Sequence, residues 1–170
     1  DNRTDFYQLT VQRDRQIADA TVAIVFSFQV SEGNNSSTAK LWTIPFHTRT
    51  LACKSERFYD QPTLASCSGF LIAPDRIATA GHCVMNQLKC SSYKFIFGFQ
   101  LKNPIESLSE LPSSDVYSCK KLVAQKKDEN GADFAIIQLD RPVTDRVPLV
   151  LETSKEIPVG TPVALVGYPD

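Results

Sequence analysis

Proton-transfer chemistry has few places to reside in this chain, because its 170 residues include only two histidines, His47 and His82. His82 stands in a frame. It stands next to last in the stretch Cys67-Ser68-Gly69-Phe70-Leu71-Ile72-Ala73-Pro74-Asp75-Arg76-Ile77-Ala78-Thr79-Ala80-Gly81-His82-Cys83. Two apolar, strand-like runs there lead to an imidazole beside a cysteine that can be tied back to the start of the first run. Such an arrangement holds the ring still, and an oriented imidazole is well suited to take and return a proton near neutral pH. His47, in Pro45-Phe46-His47-Thr48, has no comparable frame and reads as a strand or loop residue.

The residues Thr79-Ala80-Gly81-His82-Cys83 resemble the histidine motif of the trypsin-like (chymotrypsin-fold) serine proteases, and Cys67-Ser68-Gly69 resembles the strand that carries the partner cysteine. In such enzymes a serine nucleophile needs a neighbouring base, and the base needs a carboxylate that fixes its tautomer and stabilises the imidazolium. The resemblance implies that His82 is the general base and acid, and that Cys67 pairs with Cys83. Asp133, in Gly131-Ala132-Asp133-Phe134-Ala135-Ile136-Ile137-Gln138-Leu139, resembles the family's aspartate motif, in which a small residue precedes the acid and an apolar strand follows it. That implies the orienting carboxylate, which burial would oblige to pair with His82 and backbone donors. An isolated acid opening such a strand would instead read as a solvated cap. Asp115, Asp128 and Asp140 lack the motif's context. The short Asp133 strand motif and the ending Val166-Gly167-Tyr168-Pro169 are similar to the bacterial glutamyl-endopeptidase-like branch.

The family's nucleophile lies in a Gly-x-Ser-Gly segment, whose glycines permit the tight turn that aims backbone N–H groups at the oxyanion. None of the glycines here (Gly33, Gly69, Gly81, Gly98, Gly131, Gly160 and Gly167) is followed two positions later by serine. Ser68 reads as part of a strand, and Cys83 as half of a disulfide, since adjacent strand residues point apart. The expectation is a serine endopeptidase with a Ser-His-Asp triad, of which this chain supplies His82 and Asp133 but no nucleophile. Alone it would be inactive, because triad members act as a unit. Its partners would be a protein or peptide substrate and a carboxy-terminal protease half, or companion chain, carrying the serine. Neither a cofactor nor a metal is expected. The rival expectation is a catalytically inactive, protease-derived binding module.

Strands must position these groups. Candidate strands are Thr21–Val30, Lys40–Thr48, Ser68–Ile72, Arg76–Ala80, Ser92–Phe99, Val116–Ala124 and Asp133–Leu139, rich in β-branched and aromatic residues. Pro45 demotes the second to an edge. Ala73-Pro74-Asp75 makes a tight turn between the two runs leading to His82, as in a hairpin. Short strands punctuated by turns argue for an antiparallel barrel or sandwich. Together with the resemblance, they predict an all-β, six-stranded antiparallel Greek-key barrel of the chymotrypsin type. The predicted layout has an extension over 1–20, a first barrel over 21–145, and a linker over 146–170 leading into the first strand of a second barrel, Val163–Tyr168. Within the extension, Val11–Ala20 offers an apolar side for two helical turns, with a solvated extension as the alternative.

Five cysteines without a Cys-x-x-Cys pair, and two histidines, make a poor zinc set and a better disulfide set. Cys90 and Cys119 flank neighbouring strand candidates, so a bond between them would clip those strands together. Cys53 is then left over. This usage suits a secreted or periplasmic protein, five reduced cysteines in a cytosolic one being the alternative. A formal net charge of -1, a pI near 6.2 and the absence of a basic cluster argue against nucleic acid as a partner. The longest apolar stretch, Ala20–Val30, is interrupted by Thr21, Ser27 and Gln29 and cannot span a bilayer, so no membrane partner is expected. The first residue, Asp1, reads as the start of a mature or trimmed product. Asn2, Asn34 and Asn35 each begin an Asn-x-Ser/Thr triplet of little diagnostic weight.

Overall fold

The computed structural model describes residues 3–154 and 156–168, and in it the β-branched and aromatic runs of the sequence become strands. Asn2 lies outside the described residues. Helix α1 (Gln12–Asp19) leads into strand β1 (Thr21–Phe26). The chain continues through β2 (Val30–Glu32), β3 (Thr38–Leu41), β4 (Ile44–Pro45), helix α2 (Phe46–Thr50), β5 (Pro62–Thr63), β6 (Cys67–Ala73) and β7 (Arg76–Thr79). Helix α3 (Gln87–Ser91), β8 (Tyr93–Phe97), β9 (Glu110–Pro112), β10 (Val116–Lys127) and β11 (Asp133–Leu139) follow.

Six of these strands close a barrel in the order β1-β6-β7-β11-β10-β8, with every neighbouring pair antiparallel. After β1, β6 and β7 lie side by side, the fourth barrel strand, β8, returns beside the first. That is the Greek-key order. Closure removes the unpaired edges that would otherwise invite aggregation.

The period of two sorts residues between two cores. On β1, Val22 and Ile24 point into the barrel, where they meet Leu71, Ile77, Phe95 and Ile137. Ala23 and Val25 point outward but are equally buried, because Leu41, Leu64 and Leu111 from the long β1–β6 connection and β9 cover them. A strand buried on both faces explains why Thr21–Phe26 reads as a continuous apolar run rather than an alternation. The small sheet β2-β3-β9 forms part of this cover. Its turn is held by Glu110, which accepts from the backbone N–H and side-chain amide of Asn34 at 2.8 Å each and from the Thr38 hydroxyl.

Several elements differ from the sequence-based expectation. The strand expected over Thr21–Val30 stops at Phe26, because Ser27–Gln29 coils as a 3-10 turn closed by the Phe26 N–H donating to the Gln29 side chain at 3.1 Å. Lys40–Thr48 is not one edge strand. Pro45, with no N–H for a ladder, stands at the N-cap of α2, which takes Phe46 onward into helix. Val163–Tyr168 forms no strand, since no other described strand pairs with it and an unpaired ladder cannot sustain one.

Residues after β11 are tied down by point contacts. Arg141 lies over the Tyr117 ring at 4.0 Å and donates to the carbonyls of Ser114 and Val116. Arg146 pairs with Asp115 at 3.0 Å and lies over Phe97. Val143 N–H donates to the Pro74 carbonyl at 2.7 Å, and Leu149 N–H to the Leu71 carbonyl at 2.8 Å.

Candidate active site

Sheet register brings the two candidate residues together. Thr79, at the end of β7, pairs with Ala135 of β11. Continuing that antiparallel register places Asp133 opposite Gly81, one residue before His82. Their separation of 51 positions along the chain therefore matters little. Asp133 meets His82 twice: Oδ1 accepts from the His82 backbone N–H at 2.9 Å, and Oδ2 lies 2.5 Å from Nδ1.

A two-point grip fixes both where the histidine is and how its ring is turned. With Nδ1–H donating to the carboxylate, the lone pair lies on Nε2, on the far side of the ring. Hydrogen bonding from the imidazole is the largest cause holding the Asp133 carboxyl below its ordinary range, helped by backbone N–H groups of His82 and Gly81 and opposed by partial desolvation. The pair is not sealed from solvent: the His82 side chain is 53% exposed and that of Asp133 35%. Pairing here thus comes from geometry and local donors rather than from the deep burial the sequence led one to expect. Among the described residues, no hydroxyl hydrogen bonds to Nε2.

Gly81 is required at its position. A Cβ there would stand 2.2 Å from the Lys126 carbonyl oxygen and 2.9 Å from that of Phe134, so β10 and β11 can close over this turn only if no side chain intervenes. From the same side, the Gln125 side-chain amide donates to the Gly81 carbonyl at 3.3 Å. Below the turn, the Thr79 hydroxyl donates to the Ser68 carbonyl at 2.7 Å, tying β7 to β6. Sequence reading did not single out Gln125 or Thr79 for these roles. They act across the sheet, and although Thr79 opens the His82 motif, nothing in that motif marks its bond to Ser68.

Cys67 and Cys83 are joined by a disulfide, with Cα atoms 6.2 Å apart. It fastens the residue after His82 to the first residue of β6. Their sulfur atoms and His82 lie within 4.8 Å of one another, but both sulfurs are spent in the bond, so the cluster offers no thiolate to a metal. Cys90 and Cys119 form a second disulfide that holds α3 against β10. The Asn86 side chain caps α3 by accepting from Lys89 N–H at 2.9 Å, the role for which asparagine is favoured at a helix start. Cys53 is free and exposed. His47 sits elsewhere, stacked on Tyr59 at 4.2 Å with Nδ1 2.9 Å from the Tyr59 carbonyl oxygen. Ser68 accepts from a backbone N–H and does not face His82 as a hydrogen-bond partner.

The family model described as Trypsin matches residues 48–170. A glutamyl endopeptidase of Bacillus licheniformis is 29% identical over 111 residues, which cover 63% of this chain and 34% of that protein. The chain thus spans about a third of the length of the curated relative it matches.

Proposed function

We propose, from the premise that this chain belongs to the trypsin family of serine proteases, that it supplies the base and the orienting carboxylate of a serine endopeptidase. The observation that carries this is the double contact between Asp133 and His82 at one end of the barrel. In the reaction, His82 Nε2 takes the proton from an attacking serine hydroxyl and later delivers it to the leaving amine. Asp133 keeps the other ring nitrogen protonated and stabilises the imidazolium as it forms. The serine and the oxyanion-binding N–H groups come from further polypeptide carrying Gly-x-Ser-Gly, whether continuous with this chain or a companion. Residues 21–145 then act as the first barrel, 1–20 as an extension and 146–170 as the lead into the second.

Substrates on this reading are proteins or peptides. The relative named above is a glutamyl endopeptidase, which makes cleavage at glutamyl residues the first specificity to assay. Two disulfides suit an oxidising, extracellular setting.

A protease-derived binding module is the rival reading. Intact mass and labelling with a serine-directed fluorophosphonate separate the two. A species carrying Gly-x-Ser-Gly that labels, and stops labelling when His82 is replaced by alanine, supports the enzyme. A homogeneous 18.9 kDa species that never labels supports the module.

A further inference from the structure

Ser68 occupies a junction that the triad chemistry leaves unexplained. Its neighbour Cys67 is bonded to Cys83, beside His82, and its own carbonyl accepts from the hydroxyl of Thr79, three residues before His82. Cys67 and Leu71 face the barrel interior, so the alternation along β6 turns the Ser68 side chain outward. There it meets the C-terminal segment. The Tyr168 backbone N–H donates to Ser68 Oγ at 2.7 Å, and Oγ lies 3.4 Å from the Tyr168 carbonyl oxygen.

The hold is local and double. Besides the backbone contact, the Tyr168 ring packs against the outer core, 5.9 Å from Phe99, and burial raises its phenol above the ordinary range. Residues before it are less firmly held: Val163 and Leu165 are mostly or fully exposed, and Val166 is partly covered. Gly167 passes so close to Ser68 that an added Cβ would lie 3.0 Å from Oγ. The hydrogen bonds that tie this segment to the barrel are thus gathered at Ser68, beside one packed aromatic ring.

We propose that Ser68 is a positioning residue, registering the path into the serine-bearing part against the same strand end that the Cys67–Cys83 disulfide registers against His82. One residue of β6 grips the histidine loop and the next grips the Tyr168 backbone. Errors in the two placements are therefore shared rather than added. This rests on the endopeptidase reading, because its consequence is the distance between His82 Nε2 and a serine supplied from beyond Tyr168. Small misplacements of reacting groups are costly: about 1 Å can lower a rate 10²-fold.

The test uses Ser68→Ala, Ser68→Thr and Tyr168→Phe in the complete protein that contains the serine, with three readouts. Amide exchange at Tyr168 should be faster in Ser68→Ala and unchanged in Tyr168→Phe, which keeps the N–H donor. Peptide hydrolysis by Ser68→Ala should show kcat lowered about tenfold with KM changed less than twofold, a partial return in Ser68→Thr, and a parallel fall in the fluorophosphonate labelling rate. Melting temperature shows whether the loss merely follows the folded fraction. Wild-type exchange rates in Ser68→Ala overturn the contact itself. Faster exchange with wild-type kcat, or a kcat loss that tracks unfolding, overturns the positioning role. A wild-type protein that neither cleaves nor labels overturns the endopeptidase reading, and the positioning role with it, whatever the exchange data give.

Discussion

The turn around His82 and the segment from Val150 to Gly167 both carry many apolar residues, yet the fold treats them oppositely. Around His82, strand pairing, a disulfide, two carboxylate contacts and a close carbonyl approach all act within a few residues. Along the later segment, Val150, Val159 and Leu165 lie fully or almost fully in solvent, Val166 is partly covered, and a hydrogen-bonded hold on the barrel appears at Tyr168. Apolar sequence therefore does not make structure by itself. It needs a neighbouring strand or a core to receive it, and β7 has β11 and β6 where the later segment has neither.

The largest separation between the two regions should be functional. In the complete enzyme, Asp133→Asn should lower kcat by roughly 10⁴-fold, because the amide stabilises the wrong imidazole tautomer. Val159→Ser should leave kcat within about twofold, since an exposed side chain away from the chemistry is close to neutral. Steady-state hydrolysis checks both, and an Asp133→Asn enzyme at wild-type rate would remove the triad reading.

Stability should divide the same way. Replacing Cys67 and Cys83 together by serine should cost about 3 kcal/mol, the chain-entropy value for a loop of this length, measurable by urea unfolding. Gly81→Ala should cost about 1–3 kcal/mol, since the Lys126 carbonyl cannot withdraw without disturbing β10. Gly160 has a left-handed φ of 88° but open space around it. Gly160→Ala should therefore strain only its own turn and leave the global transition nearly unmoved. Equal losses at the two glycines would mean that the later segment is packed as tightly as the His82 turn.

The smallest effect is one of pH. Because the folded Asp133 carboxyl titrates below its ordinary value, its contribution is present in full above the unfolded value, about pH 4. It disappears as the pH falls through the lowered folded value. Melting curves of wild type and Asp133→Asn should therefore converge on acidification below about pH 4. Parallel curves throughout would mean that the carboxylate gains nothing from His82 in the folded state.

How much of this was legible beforehand depended on the range of the interaction. The hairpin β6–β7 was readable because its turn, its apolar runs and its histidine are contiguous, and β11 because Asp133 opens an uninterrupted apolar run. The segment after Pro45 was misread as strand because Phe46 and His47 are compatible with either state, and the capping geometry decided for helix. Val163–Tyr168 was misread for the opposite reason: its residues favour a strand, but strand formation is settled by a partner.

From its text alone, this chain determined its class of fold, the family motif around His82, the aspartate to set beside it, and the cysteines available for bonding. These depend on side-chain type, short spacing and periodicity, which a linear string carries in full. Only the tertiary structure decided that Asp133 reaches both the ring and the backbone of His82 while staying open to water, that Gly81 must be bare because a carbonyl of β10 passes over it, and that Ser68 holds Tyr168. Those facts arise where strands far apart in sequence come within a few ångströms, and that proximity is set by barrel register rather than by any local run of residues.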